Sequence, residues 1–348
     1  MYKKIISAMM MVTMALTLLA GCSGGQADPS SQKSTSVEQT EEPQSQSAAA
    51  DTNTNQETTL KVGLSMSVRD QWLSNLEAAA TEKAKELGIE LSVQDANNDI
   101  AAQLSHVEAA KNQGFDVMIV NIVNTDNAAE IVQAAGDTMK VVFVNRRPDD
   151  AVLKEGQVVY VGSSEREAGE IQGNFLADLF KEENKTDVNI VMFQGTLGMQ
   201  HATERTAAAK ETLEANGIQA TYVYDDTADW DRSKAMEKFI QFMGKNEAYD
   251  AVICNNDEMA LGVIEAMKTQ GDITAPVLGI DANANAIEAV EAGDMACTVF
   301  QNAVGQGSTA MEVAARMAAG ENVETLHLIP FELVNKDNVA DYKGANKG

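Results

Sequence analysis

Two spacings of apolar residues alternate along this chain. Short, almost wholly apolar runs bounded by polar turns read as strands buried on both faces, and between them lie stretches whose apolar residues return every three or four positions, as on an amphipathic helix. The sequence predicts strands at Leu60–Met66, Ile89–Gln94, Asp116–Asn121, Val141–Val144 and Val158–Gly162. Helices at Trp72–Leu87 and Ala128–Ala135, with another that runs through Gln113, separate them, and Gly88 and Gly114 end two of these. After Ser163 the alternation restarts. Helices are predicted at Ala168–Phe180, Thr206–Asn216, Arg232–Met243, Glu258–Lys268, Asn283–Ala292 and Gly307–Ala319, with strands at Asn189–Phe193, Ala220–Tyr224, Asp250–Cys254, Val277–Ile280 and Ala296–Phe300. A helix after every strand demands crossover connections, so the fold class is α/β, with parallel sheets flanked by helices in two similar halves.

The start of the chain belongs to neither half. Lys3 and Lys4 precede an apolar run from Ile5 to Ala20, and Leu19-Ala20-Gly21-Cys22 closes it. Residues 1–21 thus read as a secretory signal, the run being shorter than the roughly 20 residues of a membrane-spanning helix. The tetrapeptide resembles a bacterial lipobox, which implies a lipid thioether on Cys22. Residues 22–58, rich in Ser, Gln, Thr and Glu, cannot bury enough surface to offset ordering and are expected to form a disordered tether between the membrane and the folded part.

Composition narrows the chemistry. With 26 basic and 52 acidic residues among 348, the formal charge is −26, which repels nucleic acid. Beyond the anchor only Cys254 and Cys297 remain, both in apolar runs, and sequence leaves open whether they pair. His106, His201 and His327 are scattered, no nucleophile-elbow or phosphate loop is present, and the acidic pairs Asp149-Asp150 and Asp225-Asp226 read as solvated turns rather than a calcium loop. Gly305-Gln306-Gly307 lacks the βαβ context of a dinucleotide site. The reading is therefore of a protein that is not an enzyme and carries neither cofactor nor metal.

What remains is the polar residues at the strand ends. Asp70 follows the first strand, Asn145 and Arg146 follow VVFV, Asn256 lies in the turn after AVIC, Asp281 follows VLGI and Gln301 follows CTVF. Carboxyl ends of parallel strands share one edge of a sheet, where ligands of open α/β folds bind. Asn256 could equally serve only as a helix cap. Trp72 and Trp230 lie in or beside polar loops, so each could offer a flat face to a sugar or cyclitol ring or simply pack in a core. Arg146 and Arg205 could supply charge-assisted bonds, although Arg205 could instead pair with Glu204 or Glu211 along a helix, and Arg147 is expected to point away into solvent.

These stretches, namely Val144-Asn145-Arg146-Arg147-Pro148, Tyr160-Val161-Gly162, Gln172-Gly173, Thr227-Ala228-Asp229-Trp230, NNDEMALG, GIDAN and TVFQNAVGQG, resemble the periplasmic sugar-binding proteins of ABC importers, the ribose- and galactose-binding type. The resemblance spans about Leu60 to Leu333. It implies two Rossmann-like lobes joined by a three-strand hinge, with crossings near Val161–Ser163, Gln301–Val304 and Ile329–Glu332. Residues 59–162 plus 303–330 are then the N-terminal lobe and residues 163–302 plus 331–342 the C-terminal lobe. It also implies that Asp70, Trp72, Asn145, Arg205, Trp230, Asn256, Asp281 and Gln301 contact the ligand, and the strand-end reading adds Arg146 beside them. Met199 and His201 replace the His and Asp of galactose binders, and the forms Asn-Arg-Arg-Pro and TVFQ…GQG look closer to myo-inositol and rhizopine binders. A cyclitol is thus the first expectation and a galactose-, glucose- or ribose-type sugar the second. The expected protein is a monomeric, lipid-anchored extracytoplasmic receptor working with an ABC permease and ATPase, or a chemoreceptor or sensor ligand-binding protein.

Overall fold

The structure, a computed structural model, describes residues 60–347 apart from residue 274, so the signal segment, Cys22 and the tether lie outside the described residues. The first lobe opens with β1 (Lys61–Met66), α1 (Gln71–Leu87), β2 (Glu90–Asp95), α2 (Ile100–Asn112), β3 (Val117–Val120), α3 (Ala128–Ala135), β4 (Lys140–Val144) and β5 (Val158–Gly162). The second follows as α4 (Glu165–Glu182), β6 (Asp187–Gln194), α5 (Gln200–Ala215), β7 (Gln219–Thr227), α6 (Arg232–Met243), β8 (Ala251–Cys254), α7 (Asp257–Gln270), β9 (Val277–Leu278), α8 (Ala284–Ala292) and β10 (Cys297–Phe300). Then come α9 (Ala303–Ala318), β11 (Leu326–Leu328) and β12 (Glu332–Asn335).

One sheet has the order β2-β1-β3-β4-β5-β11 and is parallel throughout. The other runs β7-β6-β8-β9-β10-β12, parallel except for β12, which lies antiparallel on β10. The central strands are fully buried, as sheets covered by helices on both faces require. The chain crosses between the sheets three times: after β5, after β10, and between β11 and β12.

Several details differ from expectation for physical reasons. β11 and β12 are short and half-buried, without the apolar run that marks a strand, and the sequence reading has neither. α9 starts at Ala303 rather than Gly307, capped by the Asn302 side chain on the amide of Gly305 at 2.7 Å. Gly307 is therefore a packing glycine inside a helix, where a Cβ would lie 2.4 Å from the carbonyl oxygen of Leu76 on α1. α5 starts at Gln200, six positions before the predicted Thr206, so Arg205 lies well within a helix. Asp225 and Asp226 sit in β7 instead of a turn and pair with Lys210 and Lys238. Cys254 and Cys297 are free and buried, and burial raises both thiol pKa values.

α4 and α5 approach closely because Gly169 and Gly173 lack side chains. A Cβ on Gly169 would come within 2.2 Å of the carbonyl oxygen of Arg205, which a backbone cannot yield cheaply. Gly169→Ala is therefore expected to lower stability by about 1–3 kcal/mol, read from the midpoint of urea denaturation at unchanged slope.

Candidate functional site

The turns that follow the strands, and the helices α1 and α5 that follow those turns, bring all nine predicted residues to one place. Asp70, Trp72, Asn145, Arg146, Arg205, Trp230, Asn256, Asp281 and Gln301 line a single cavity of about 60 Å³, joined there by Leu73, Glu165 and His201. Several also perform the local structural task that their type suggests. Asp70 caps α1 through Oδ1 on the amide of Leu73 at 2.7 Å, and Asn256 caps α7 through Oδ1 on Met259 at 3.1 Å. Each cap fixes its side chain at the rim of the cavity. Asp70 keeps an exposed surface yet is crowded by protein, and this desolvation raises its pKa against the pull of the Leu73 amide and Arg146.

On the first-lobe wall, Asn145 takes a left-handed backbone (φ 67°) as the chain leaves β4. Its Oδ1 accepts from Asn121 Nδ2 at 3.3 Å, and its carbonyl accepts from the Tyr160 hydroxyl at 2.8 Å. Arg146 donates from Nη1 to the carbonyls of Ile122 and Val123 at 3.0 and 3.1 Å. Burial lowers its pKa to about 10, opposed by Asp70, so the guanidinium stays charged. Arg147 does not line this cavity. It forks onto Asp150 at 2.8 Å and lies over the Tyr160 ring at 5.9 Å, so it is ion-paired rather than solvated.

The opposite wall is built around Arg205, which is 4% exposed. Its Nε donates to Glu165 Oε2 at 2.6 Å, Nη1 to the Asn255 carbonyl at 2.8 Å, and Nη2 to Gln301 Oε1 at 3.2 Å. Glu204 and Glu211, the partners considered from sequence, bind Arg166 instead. Above the guanidinium, at 5.8 Å, lies Trp230, whose indole stacks on His201 with centroids 4.8 Å apart and planes 16° from parallel. Trp230 has a left-handed backbone (φ 65°) and rests on Gly195, where any Cβ would overlap the ring. Trp72 combines both roles considered for it. It is 5% exposed in the first-lobe core, and its Nε1 donates to the Gln301 carbonyl at 2.9 Å.

The electrostatics of the cavity follow from the burial of its charged groups. Burial, then Arg146 and Arg205, hold the His201 pKa well below its ordinary value, so the ring is neutral at physiological pH, and its Nδ1 has no protein partner. Burial raises Glu165 against the opposing charge of Arg205. Asp281 is raised well above its ordinary value by burial and then by Asp257, with Arg205 opposing. Asp257 lies behind it, receiving Thr298 Oγ1 at 2.6 Å and the amide of Asn283 at 2.8 Å. The Nε2 of Gln301 and the Oε1 of Glu165 also lack protein partners. Donors, acceptors and aromatic faces therefore converge on one cavity. Among the described residues no group of three His, Cys, Asp or Glu is placed to hold a metal ion.

Leu73 and Glu165 line the cavity without having been singled out from sequence, and His201, noted there only as a departure from galactose binders, joins them. Glu165 begins a helix after the first crossing and ends no strand, so the strand-end rule passes over it. The usable signal was Arg205 itself, since a buried guanidinium requires a carboxylate, although nothing along the chain says which.

Two α/β lobes with a polar cavity between their strand ends define a two-lobed binding fold. The model of the periplasmic binding protein domain matches residues 62–322, and the chain belongs to that family. A putative rhizopine-binding protein of Rhizobium meliloti is 35% identical over 82% of this chain and 93% of its own. The D-galactose/methyl-galactoside binding periplasmic protein of Haemophilus influenzae is 31% identical over 78% and 88%. Among solved structures, an ABC transporter solute binding protein from Bacillus halodurans with bound myo-inositol superposes with a TM-score of 0.76 at 34% identity, covering 82% of this chain and 98% of the other.

Asp257 gives a test of this electrostatic account. Burial raises its pKa from 3.8 to about 7, opposed by the bonds from Thr298 and Asn283. Between those values the folded state holds a proton that the unfolded chain has lost, so this group's stabilisation is full below about pH 4, declines as pH rises, and is gone above about pH 7. Asp257→Asn should flatten the fall in melting temperature across that window relative to the unsubstituted protein.

Proposed function

We propose that this chain is an extracytoplasmic solute receptor of an ABC importer that binds a neutral cyclitol, myo-inositol first, between its lobes. The observation that carries the reading is the convergence of Asp70, Asn145, Arg146, Arg205, Asn256, Asp281 and Gln301, distant in sequence, on one cavity flanked by Trp72 and Trp230. A ring with several hydroxyls at its edge matches a rim of donors and acceptors with aromatic rings beside it. The unpartnered Nδ1 of His201 and Nε2 of Gln301 supply further groups for hydroxyls, and each such bond left unmade in a buried site costs about 1–3 kcal/mol. The myo-inositol complex of the Bacillus halodurans relative and the name of the Rhizobium meliloti one favour a cyclitol, while the Haemophilus influenzae relative favours D-galactose as the second ligand to test.

Both walls line the cavity, so a ligand held there is enclosed between them. Entry then requires the lobes, residues 59–162 with 303–330 and 163–302 with 331–342, to part about the three crossings. The bound ring draws them together by touching both walls. The partners in this reading are a permease and its ATPase, with the receptor a monomer tethered through residues 22–58 to lipid on Cys22.

Calorimetry and thermal shift against cyclitols and monosaccharides test the ligand. At a hundredfold excess over the dissociation constant the true ligand adds about 2.7 kcal/mol of stability, and a screen in which no polyol or sugar moves the melting point sinks the assignment. Arg205→Ala should abolish this shift and also destabilise the free protein by about 3–5 kcal/mol, because Glu165 is left buried without its counter-charge. The anchor is checked separately: Cys22→Ser should move the protein from the membrane fraction to the medium or periplasm, and unchanged partitioning would rule lipidation out.

A further inference from the structure

The segment after β12 lies beyond the residues matched by the family model, and its contacts lead back to the cavity. Tyr342 sets its ring edge against Phe300 with centroids 5.2 Å apart and donates its hydroxyl to Glu332 at 2.6 Å, while Lys343 pairs with Glu291 of α8 at 2.6 Å. These contacts fix the segment to the second lobe. Its tip then enters the junction where the chain passes from β10 into α9. Asn346 is 5% exposed there, and both ends of its amide are used. Nδ2 donates to the carbonyls of Asp281 at 2.7 Å and Gln301 at 3.0 Å, and Oδ1 accepts from the amide of Ala303 at 2.8 Å. Two carbonyls and one N–H define the orientation of the amide without ambiguity, and no other side chain of this size offers two donors and an acceptor in that arrangement.

The two carbonyls belong to residues whose side chains line the cavity. Asp281 needs outside support, because its backbone has φ 126° and the bond its own carbonyl receives from the Gln301 amide is long, at 3.4 Å. Gln301 holds the Arg205 guanidinium and shares its carbonyl with Trp72. A second cavity of about 80 Å³ flanks the tip, lined by Gln71 and Asn75 of α1 and by Ala282, Ala284 and Ile287 of the second lobe. The tip thus lies between the lobes, next to the crossing from β10 into α9.

We infer that the C-terminal segment is a latch on the hinge: Asn346 is a positioning residue that fixes Asp281 and Gln301 for ligand and couples the crossing into α9 to the second lobe. Asn346→Ala, and removal of residues 344–348, loosen that crossing without touching the ligand.

The test measures myo-inositol affinity well below the melting transition, so that loss of binding is not loss of fold. This arm rests on the ligand reading above. Asn346→Ala should weaken affinity about tenfold, the equivalent of one or two hydrogen bonds. The isosteric Asn346→Asp keeps the Ala303 bond but loses both donors, and should weaken binding at least as much. A purely structural role would lower the melting temperature and leave affinity unchanged, and wild-type affinity in Asn346→Asp overturns the inference. Two readouts need no ligand. Hydrogen exchange at the Ala303 amide should accelerate in Asn346→Ala, and small-angle scattering should show a wider spread of lobe separations. If the unsubstituted protein binds no polyol, the ligand reading fails alone and these two decide the latch, with unchanged exchange and scattering overturning it.

Discussion

A guanidinium out of water has to be surrounded by acceptors, and much of the cavity is the answer to that requirement for Arg205. Its partners come from the start of α4, the turn after β8 and the crossing after β10. Satisfying one side chain therefore fixes three segments relative to each other, at the boundary between the two sheets. The indole of Trp230 covers the guanidinium and His201 covers the indole, so the charge also organises the aromatic wall. Such a pair contributes little net stability, because desolvation offsets most of the attraction; what it supplies is definition of geometry.

Placement of the two acids on the second-lobe wall follows a similar logic. Asp281 stands at the cavity with a backbone conformation unusual for a residue with a side chain, and Asp257 behind it anchors the following turn through the Asn283 amide and Thr298, which in turn receives the Ala282 amide. The family relationship accounts for the two lobes, while the particular chemistry of this cavity comes from these supporting bonds.

The strand-end residues were legible because a parallel sheet has one carboxyl edge and the polar residue after each apolar run must lie on it. Asn145, Asn256, Asp281 and Gln301 could be listed from that rule alone; Arg205 was a candidate for its charge, and the resemblance to sugar-binding proteins gave it a ligand-binding role. Helix beginnings were less legible, as the early start of α5 shows, because Gln200 and His201 carry no capping signature. Glu165 could not be singled out among 52 acids, since its meaning lies in a partner 40 positions away. The neutral state of His201 is likewise a product of burial by both walls, which no local pattern encodes. β11 and β12 escaped notice because strands so short at sheet edges need little apolar character.

The placement of β11 has a consequence for how the molecule comes to be folded. Its partner β5 ends at Gly162, yet β11 begins only at Leu326, after every strand of the second sheet except β12. The first sheet's outer edge therefore stays unpaired through most of synthesis, exposing the backbone of a wholly apolar strand. Closing so long a loop carries an entropic penalty that slows assembly, so the β5 edge is covered late in folding, once β11 is in place.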